Sequence, residues 1–489
     1  MSPYIIILII FIYFSALIGI SYLTSKNTDS DTFFLGNKNS PWYIVAFGMI
    51  GSSLSGVTFI SVPGWVGASQ FSYMQVVLGY LVGYIIIATL LLPLYYRLNL
   101  ISIYTYLSGR FGVYSYKTGA WLFLISRTIG ASFRLYLVTI VLQVGVFDKL
   151  GMHVPFIVTV GITILLIWIY TFKSGIKTII WTDTFQTFFL LSALFITIYV
   201  IADKMNLNIT ELFETIKNSS YSKIFFFDDV NDTKYFFKQF LSGIFIAIAM
   251  TGLDQDMMQK NLTCRNLKDA QKNMFSFSIL LVFVNFIFLA LGALLFIYSN
   301  KLGIAIPAKT DTLYPMLAMD GFLGPVAAIF FVLGLIAASY ASADAALAAL
   351  TTSYCIDIIG IEKFEEKKRL KIRNRVHIAM SLVLAILIII FKVLNNESVI
   401  KQIFTIAGYT YGPLLGLYAF GLFSKRKVQD QLIPLVCLLS PVICFVLNKY
   451  SLELFNGYKF SFELLIMNGL ITYFGIWLTS VLAKQSKLI

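Results

Sequence analysis

Between Tyr4 and Leu482 the sequence returns repeatedly to apolar stretches of bilayer-spanning length. A helical membrane crossing takes about 20 consecutive apolar residues, because inside lipid every backbone amide and carbonyl must be satisfied within the segment or by the protein around it. A chain built from many such stretches is expected to be an all-α polytopic membrane protein. Composition agrees: 12% of residues are charged, about half the roughly 25% of a soluble chain, which excludes a soluble globular fold.

Thirteen spans are expected, near 3 to 23, 42 to 67, 73 to 96, 120 to 147, 155 to 172, 176 to 202, 236 to 257, 275 to 299, 324 to 355, 375 to 394, 398 to 423, 430 to 448 and 463 to 484. The first lacks a basic leader and a small-residue cleavage site, so it reads as a retained span. The formal charge of +13 would suit a nucleic-acid binder if it lay in one stripe. Instead the basic residues sit in short loops, including the cluster from Lys363 to Arg375 and the run from Lys425 to Lys427. The positive-inside rule then places the N-terminus outside and the C-terminus in the cytoplasm of a multi-pass cell-membrane protein. No nucleic-acid partner is expected; the lipid bilayer is.

The loop from 203 to 235 is the one long polar excursion, and it offers no soluble domain. Its Asn208-Ile-Thr and Asn218-Ser-Ser triplets match glycosylation acceptors at a frequency that chance supplies. Cys264, Cys355, Cys437 and Cys444 show no metal-ligand spacing, and His153 and His377 stand alone, so neither a disulfide framework nor a metal centre is expected. No nucleotide motif or nucleophile constellation supports an enzyme.

Two spans are interrupted where a continuous helix would be cheapest. One carries Gly51-Ser52-Ser53-Leu54-Ser55-Gly56, the other Gly408-Tyr409-Thr410-Tyr411-Gly412-Pro413. Freed backbone groups cannot face lipid, so such breaks are buried or line a polar cavity. Broken spans point to a transport site; close helix packing through small residues is the competing explanation.

These residues resemble the sodium/solute symporter family, which includes sodium-coupled sugar, proline, sialic acid, vitamin and iodide carriers. The likeness runs from about Asp31 to Lys425. It rests on Asp31-Thr-Phe-Phe-Leu-Gly through Pro41-Trp42-Tyr43, Tyr106-Leu-Ser-Gly-Arg110-Phe-Gly, and Thr182-Asp183-Thr-Phe-Gln186. Asp254-Gln255 with Gln259-Lys260, and Gly412-Pro413 through Gly421-Leu-Phe423, complete it. The resemblance implies a five-plus-five inverted repeat with broken helices and alternating access. On that plan residues 1–41 hold a peripheral helix and inner loop, 42–203 the first repeat, 204–235 an outer loop, 236–425 the second repeat, and 426–489 two further helices. The implied function is sodium-coupled symport of a small organic solute. Sodium is the coupling ion, no other cofactor is needed, and a monomer is expected to suffice.

The family's main sodium site falls on Gly51, Leu54, Ala338, Ala341 and Ser342. Relatives place two adjacent hydroxyls where this chain has Ala341-Ser342, so one side-chain oxygen is missing, for which a water or Asp344 would substitute; Ser342 as a small packing residue among the alanines is the competing explanation. A second cation site is implied at Asp183, with Asp344 where relatives have a hydroxyl. Carboxylates this deep need a cation or a partner, and pairing with Arg127 or Arg134 is the structural alternative. Those arginines, seven residues apart, share a helix face and offer a fork for a carboxylate. Ser53, Ser55, Thr58, Tyr73, Gln75, Gln402 and Tyr409 complete the candidate substrate set. The sugar-binding positions fall on Val77, Ala247, Met250 and Phe404, which favours a small carboxylate-bearing solute, with a neutral solute or inorganic anion left open. A proton-coupled carrier, with Asp183 and Asp344 titrating, is the rival coupling scheme.

Overall fold

A computed structural model describes residues 3–24, 34, 36–148, 151–171, 175–394 and 399–485. Within them the regular structure is helical, and the sole extended pairing is one bridge between Ser40 and Cys264. Among the described residues nine helices are long and apolar enough to cross a membrane, and two bent pairs raise this to eleven. Phe156–Thr171, a shorter apolar helix of 16 residues, and Val399–Phe423, of 25, occupy the fifth and eleventh expected positions.

The first bent pair comprises α1, Trp42–Ser53, and α2, Gly56–Ser69, at 59° to one another. Leu54 leaves helical geometry (φ −85°, ψ 80°) and Ser55 is extended (φ −71°, ψ 173°). Serines favour this because their hydroxyls compete for backbone partners. Gly56 permits the crossing that follows, since a Cβ there would collide with Ser339 Oγ.

The second break lies elsewhere than expected. It separates α3, Phe236–Gly252, from α4, Gln255–Leu262, by 65°. Helix α3 loosens into a π turn at Ile248–Gly252, then Asp254 (φ −106°, ψ 121°) caps α4, its Oδ1 accepting from the amides of Asp256 (3.0 Å) and Met257 (3.3 Å). An N-cap aspartate of this kind satisfies amides that have no partner in the helix.

The segment Gly408 to Pro413, expected to break, is instead continuous within α5, Val399–Phe423. Pro413 cannot donate to the Tyr409 carbonyl four residues back. Asn468, from α6, Leu464–Gln485, supplies the missing donor: its Nδ2 donates to Gly408 O (2.9 Å) and Tyr409 O (3.0 Å). Gly412 makes room, since a Cβ there would stand 2.5 Å from the Asn468 side chain. A side chain on a neighbouring helix repaired what the local sequence had broken.

Each broken helix opens one of two successive runs of long helices. In the core, α7, Gly175–Met205, lies against α8, Gly324–Ile359, and both pack on α1. Helix α9, Val113–Leu142, touches α8 and α5. Helix α10, Tyr73–Arg97, runs along α3. There the backbones nearly touch, because a Cβ on Gly79 would meet Phe240 O and one on Gly83 would stand 2.6 Å from Ala247 Cβ. In the loop from 204 to 235, Asn208 takes part in a capping box with Glu211 at the start of the short helix Ile209–Lys217.

Candidate functional site

The two breaks face one another across a cavity. Ser52, Ser53, Leu54, Ser55 and Thr58 line it from the first break, Ala247, Met250, Thr251 and Met257 from the second, Tyr73, Tyr80 and Tyr84 from α10, and Arg127 and Arg134 from α9. Asn285 closes it from the helix Leu267–Lys301. Ala247 and Met250, two of the positions matched by resemblance to sugar-binding ones, are among the lining residues.

Of the residues expected to form the main sodium site, Gly51 and Leu54 lie at the first break and Ser342 reaches it from α8. Gly51 N donates to Thr187 Oγ1 (3.0 Å), and a Cβ at Gly51 would collide with that oxygen. Ala338, Ala341 and Ser342 are buried on α8, and Ser342 Oγ donates to the carbonyl of Ser52 (3.0 Å), between Gly51 and Leu54. Small residues on α8 are what allow α1 to approach this closely.

Beside them lies a buried charge cluster. Asp183, on α7, accepts from Ser52 Oγ (2.8 Å) and pairs with Lys260 Nζ (2.8 Å). Lys260 Nζ also donates to Ser52 Oγ (2.5 Å) and stands 3.6 Å from Asp256 Oδ1. With its amide turned to satisfy both neighbours, Gln186 donates to Asp183 Oδ1 (3.3 Å) and Thr182 O (3.3 Å). Asp344 is fully buried, accepts from Tyr170 OH (3.0 Å) and the Ala345 amide (2.6 Å), and has no ion pair among the described residues.

The arginines divide. Arg127 Nη2 is bonded to Asp256 Oδ2, and Nη1 lies 3.9 Å from Asp254 Oδ2, which also accepts from Tyr411 OH (2.5 Å). Arg134 has no ion pair among the described residues, and its buried Nε and Nη1 lack hydrogen-bond partners. The structural alternative of an arginine neutralising Asp183 or Asp344 is therefore corrected. Asp183 is paired with Lys260, and Arg127 with the acids of the second break.

Two candidates lie outside this arrangement. Gln75 is turned to the 226–234 segment, where its Nε2 donates to Lys234 O (2.9 Å) and its Oε1 accepts from Phe226 N (3.2 Å). The Tyr409 hydroxyl accepts from Asn448 Nδ2 (3.0 Å), on the helix Ile433–Lys449. The Gln402 side chain falls outside the described residues. Sequence reasoning missed Asp256, Lys260 and Tyr411 as members of the cluster. Asp256 and Lys260 at i and i+4 on a helix were a signal of opposed charges on one face, but in the sequence Lys260 reads as a loop lysine.

Two broken helices meeting over buried charge in a bundle of apolar helices is the architecture of a secondary transporter. The chain belongs to the sodium:solute symporter family, whose model matches residues 33–430. It is similar to the sodium/sialic acid symporter NanT of Aliivibrio fischeri, 24% identical over 89% of this chain and 86% of that protein. The sodium/sialic acid symporter SiaT of Proteus mirabilis is 24% identical over 91% and 90%. The human sodium/iodide cotransporter is 24% identical over 81% of this chain and 61% of its own length. A solved substrate-bound, outward-open structure of a Na+-coupled sialic acid symporter shares the fold, with a TM-score of 0.82 at 21% identity over 98% of both chains.

Proposed function

We propose that this protein is a sodium-coupled symporter that imports a small carboxylate-bearing solute by alternating access. The observation that carries the solute class is Arg134, a buried guanidinium that lines the cavity and has no ion pair among the described residues. An unpaired charge at this depth is costly, and a planar carboxylate is the ligand that fits its fork. Ser53, Ser55, Thr58 and Tyr73 line the same cavity and supply hydroxyls for the rest of the solute. Arg127 stands beside Arg134 with one edge engaged by Asp256.

In this reading the main sodium ion takes the carbonyls of Gly51 and Leu54 with the α8 positions Ala338, Ala341 and Ser342. Ser342 Oγ would turn from the Ser52 carbonyl to offer its oxygen to the ion. A second cation is held by Asp183 and Asp344. Two carboxylates against one lysine support it, because the surplus negative charge needs a cation in a low-dielectric interior. Residues 42–203 and 236–425 act as the two repeats, the N-terminus lies outside and the C-terminus inside, and one copy of the chain forms the complete path.

The rival scheme has a specific observation in its favour. Asp344 is fully buried and has no ion pair among the described residues, a setting that suits a carboxyl taking a proton in place of a second sodium.

Uptake into proteoliposomes decides between them. The panel should hold sialic acid, short monocarboxylates, iodide and a neutral sugar, each under an imposed sodium or proton gradient. Uptake of an acidic member driven by sodium is the expected result. Equal uptake in sodium-free potassium medium would reject sodium coupling.

A further inference from the structure

The charges between the two breaks form a chain of shared partners. Arg127 Nη2 is bonded to one oxygen of Asp256. The other oxygen, Oδ1, is buried without a hydrogen-bond donor and stands 3.6 Å from Lys260 Nζ. Lys260 is engaged instead with Asp183 (2.8 Å) and Ser52 (2.5 Å). Asp256 therefore sits between two cations, one facing the cavity and one occupying the carboxylate assigned to the second cation. In a poorly screened interior, weakening one of these attractions strengthens the hold of the other.

We propose that Asp256 is a positioning residue that couples solute to cation. An anionic solute that draws Arg127 toward itself frees Asp256 to close on Lys260. Lys260 then loosens from Asp183, and Asp183 opens to sodium. By linkage the reverse holds: sodium at Asp183 pushes Lys260 toward Asp256 and releases Arg127 to the solute, so each ligand raises the affinity of the other by the same factor. This mechanism rests on the reading above, in which the solute brings a negative charge to the arginines. Its device is a fixed row of charges running from the α9 guanidinium, through α4, to the first break.

A double-mutant cycle on the full-length protein without any solute tests it, since Arg127→Gln imitates the withdrawal of Arg127. The measurement is sodium affinity, by binding of radioactive sodium to purified protein. Arg127→Gln should raise that affinity at least about fivefold, the low end of allosteric couplings, and Asp256→Asn should lower it. In the double variant the gain should vanish, and Asp256→Glu, which keeps the carboxylate, should hold sodium within about twofold of the unmodified protein. An unchanged or weaker affinity in Arg127→Gln, or a gain that survives in the double variant, would overturn the proposal. If Arg127→Gln does not fold, the comparison of Asp256→Asn with Asp256→Glu decides: equal sodium affinity in the two rejects the coupling role, and loss confined to Asn supports it. No arm contains solute, so a failure here is distinct from a failure of the solute class, which the uptake panel reads.

Discussion

Arg134 and Arg127 carry the same charge and do different work because of what stands within reach. Arg127 is held by acids of the second break, whereas Arg134 has its Nε and Nη1 unpartnered beside the cavity hydroxyls. Arg134→Lys keeps the charge and loses the fork, so affinity for an acidic solute should fall by about 1 to 3 kcal/mol, measured as competition for uptake. Retained affinity in Arg134→Gln, with the protein still folded, would assign this arginine to structure. At the cation end, Asp183→Asn should bring the Hill coefficient for sodium toward one. It should also lower the melting temperature, because Lys260 would keep only Asp256 at 3.6 Å as an acidic partner. Asp344→Ser should leave a working but weaker second site. A Hill coefficient of one in the unmodified protein, with uptake that follows pH through the carboxylate range, favours the proton scheme.

Between elements, the decisive contacts are made by the absence of side chains. Helices α10 and α3 meet through Gly79 and Gly83 against Gly243 and Ala247, and a Cβ on Gly243 would collide with the Val76 carbonyl. Small residues four apart are how membrane helices bring their backbones together without a hydrophobic driving force. Gly79→Ala should therefore cost about 1 to 3 kcal/mol of overpacking, seen as a lower melting temperature in detergent. Gly161→Ala is the control: nothing lies within 4 Å of a Cβ there, and removing a glycine from a helix interior should stabilise by about 0.5 to 1 kcal/mol. The same logic governs α5. Asn468→Leu removes the donor that serves the Gly408 and Tyr409 carbonyls, so the segment above Pro413 should exchange its amide hydrogens faster than in the unmodified protein.

For the whole molecule, the reading sets an energetic limit. A monovalent cation gains about 2.3 kcal/mol per 100 mV, and a tenfold gradient adds about 1.4 kcal/mol. Two sodium ions with one monoanion can therefore sustain about 5 kcal/mol of accumulation, since the anion opposes the potential. That stoichiometry moves one net positive charge inward per cycle. An interior-negative potential imposed on proteoliposomes should speed uptake, whereas indifference to potential would indicate one sodium per monoanion.

The apolar runs by themselves determined the class of fold and most helix positions, because hydrocarbon permits so few backbone solutions that length and composition suffice. The first break was also legible, its Gly-Ser run being a local property. The second was not. The sequence pointed to Pro413 with its two glycines, yet Asn468, 55 positions along the chain, supplied the missing donor. The real break came at Gly252 to Asp254, where an aspartate caps the helix that follows. Likewise the sequence named Asp183, Asp344 and both arginines as costly charges but could not say which cation served which acid. Only tertiary structure decided that Lys260 takes Asp183, that Asp256 takes Arg127, and that Arg134 has no ion pair among the described residues. Ion pairing falls off over a few ångströms in a medium that screens poorly, so it depends on distances between helices that local patterning does not encode.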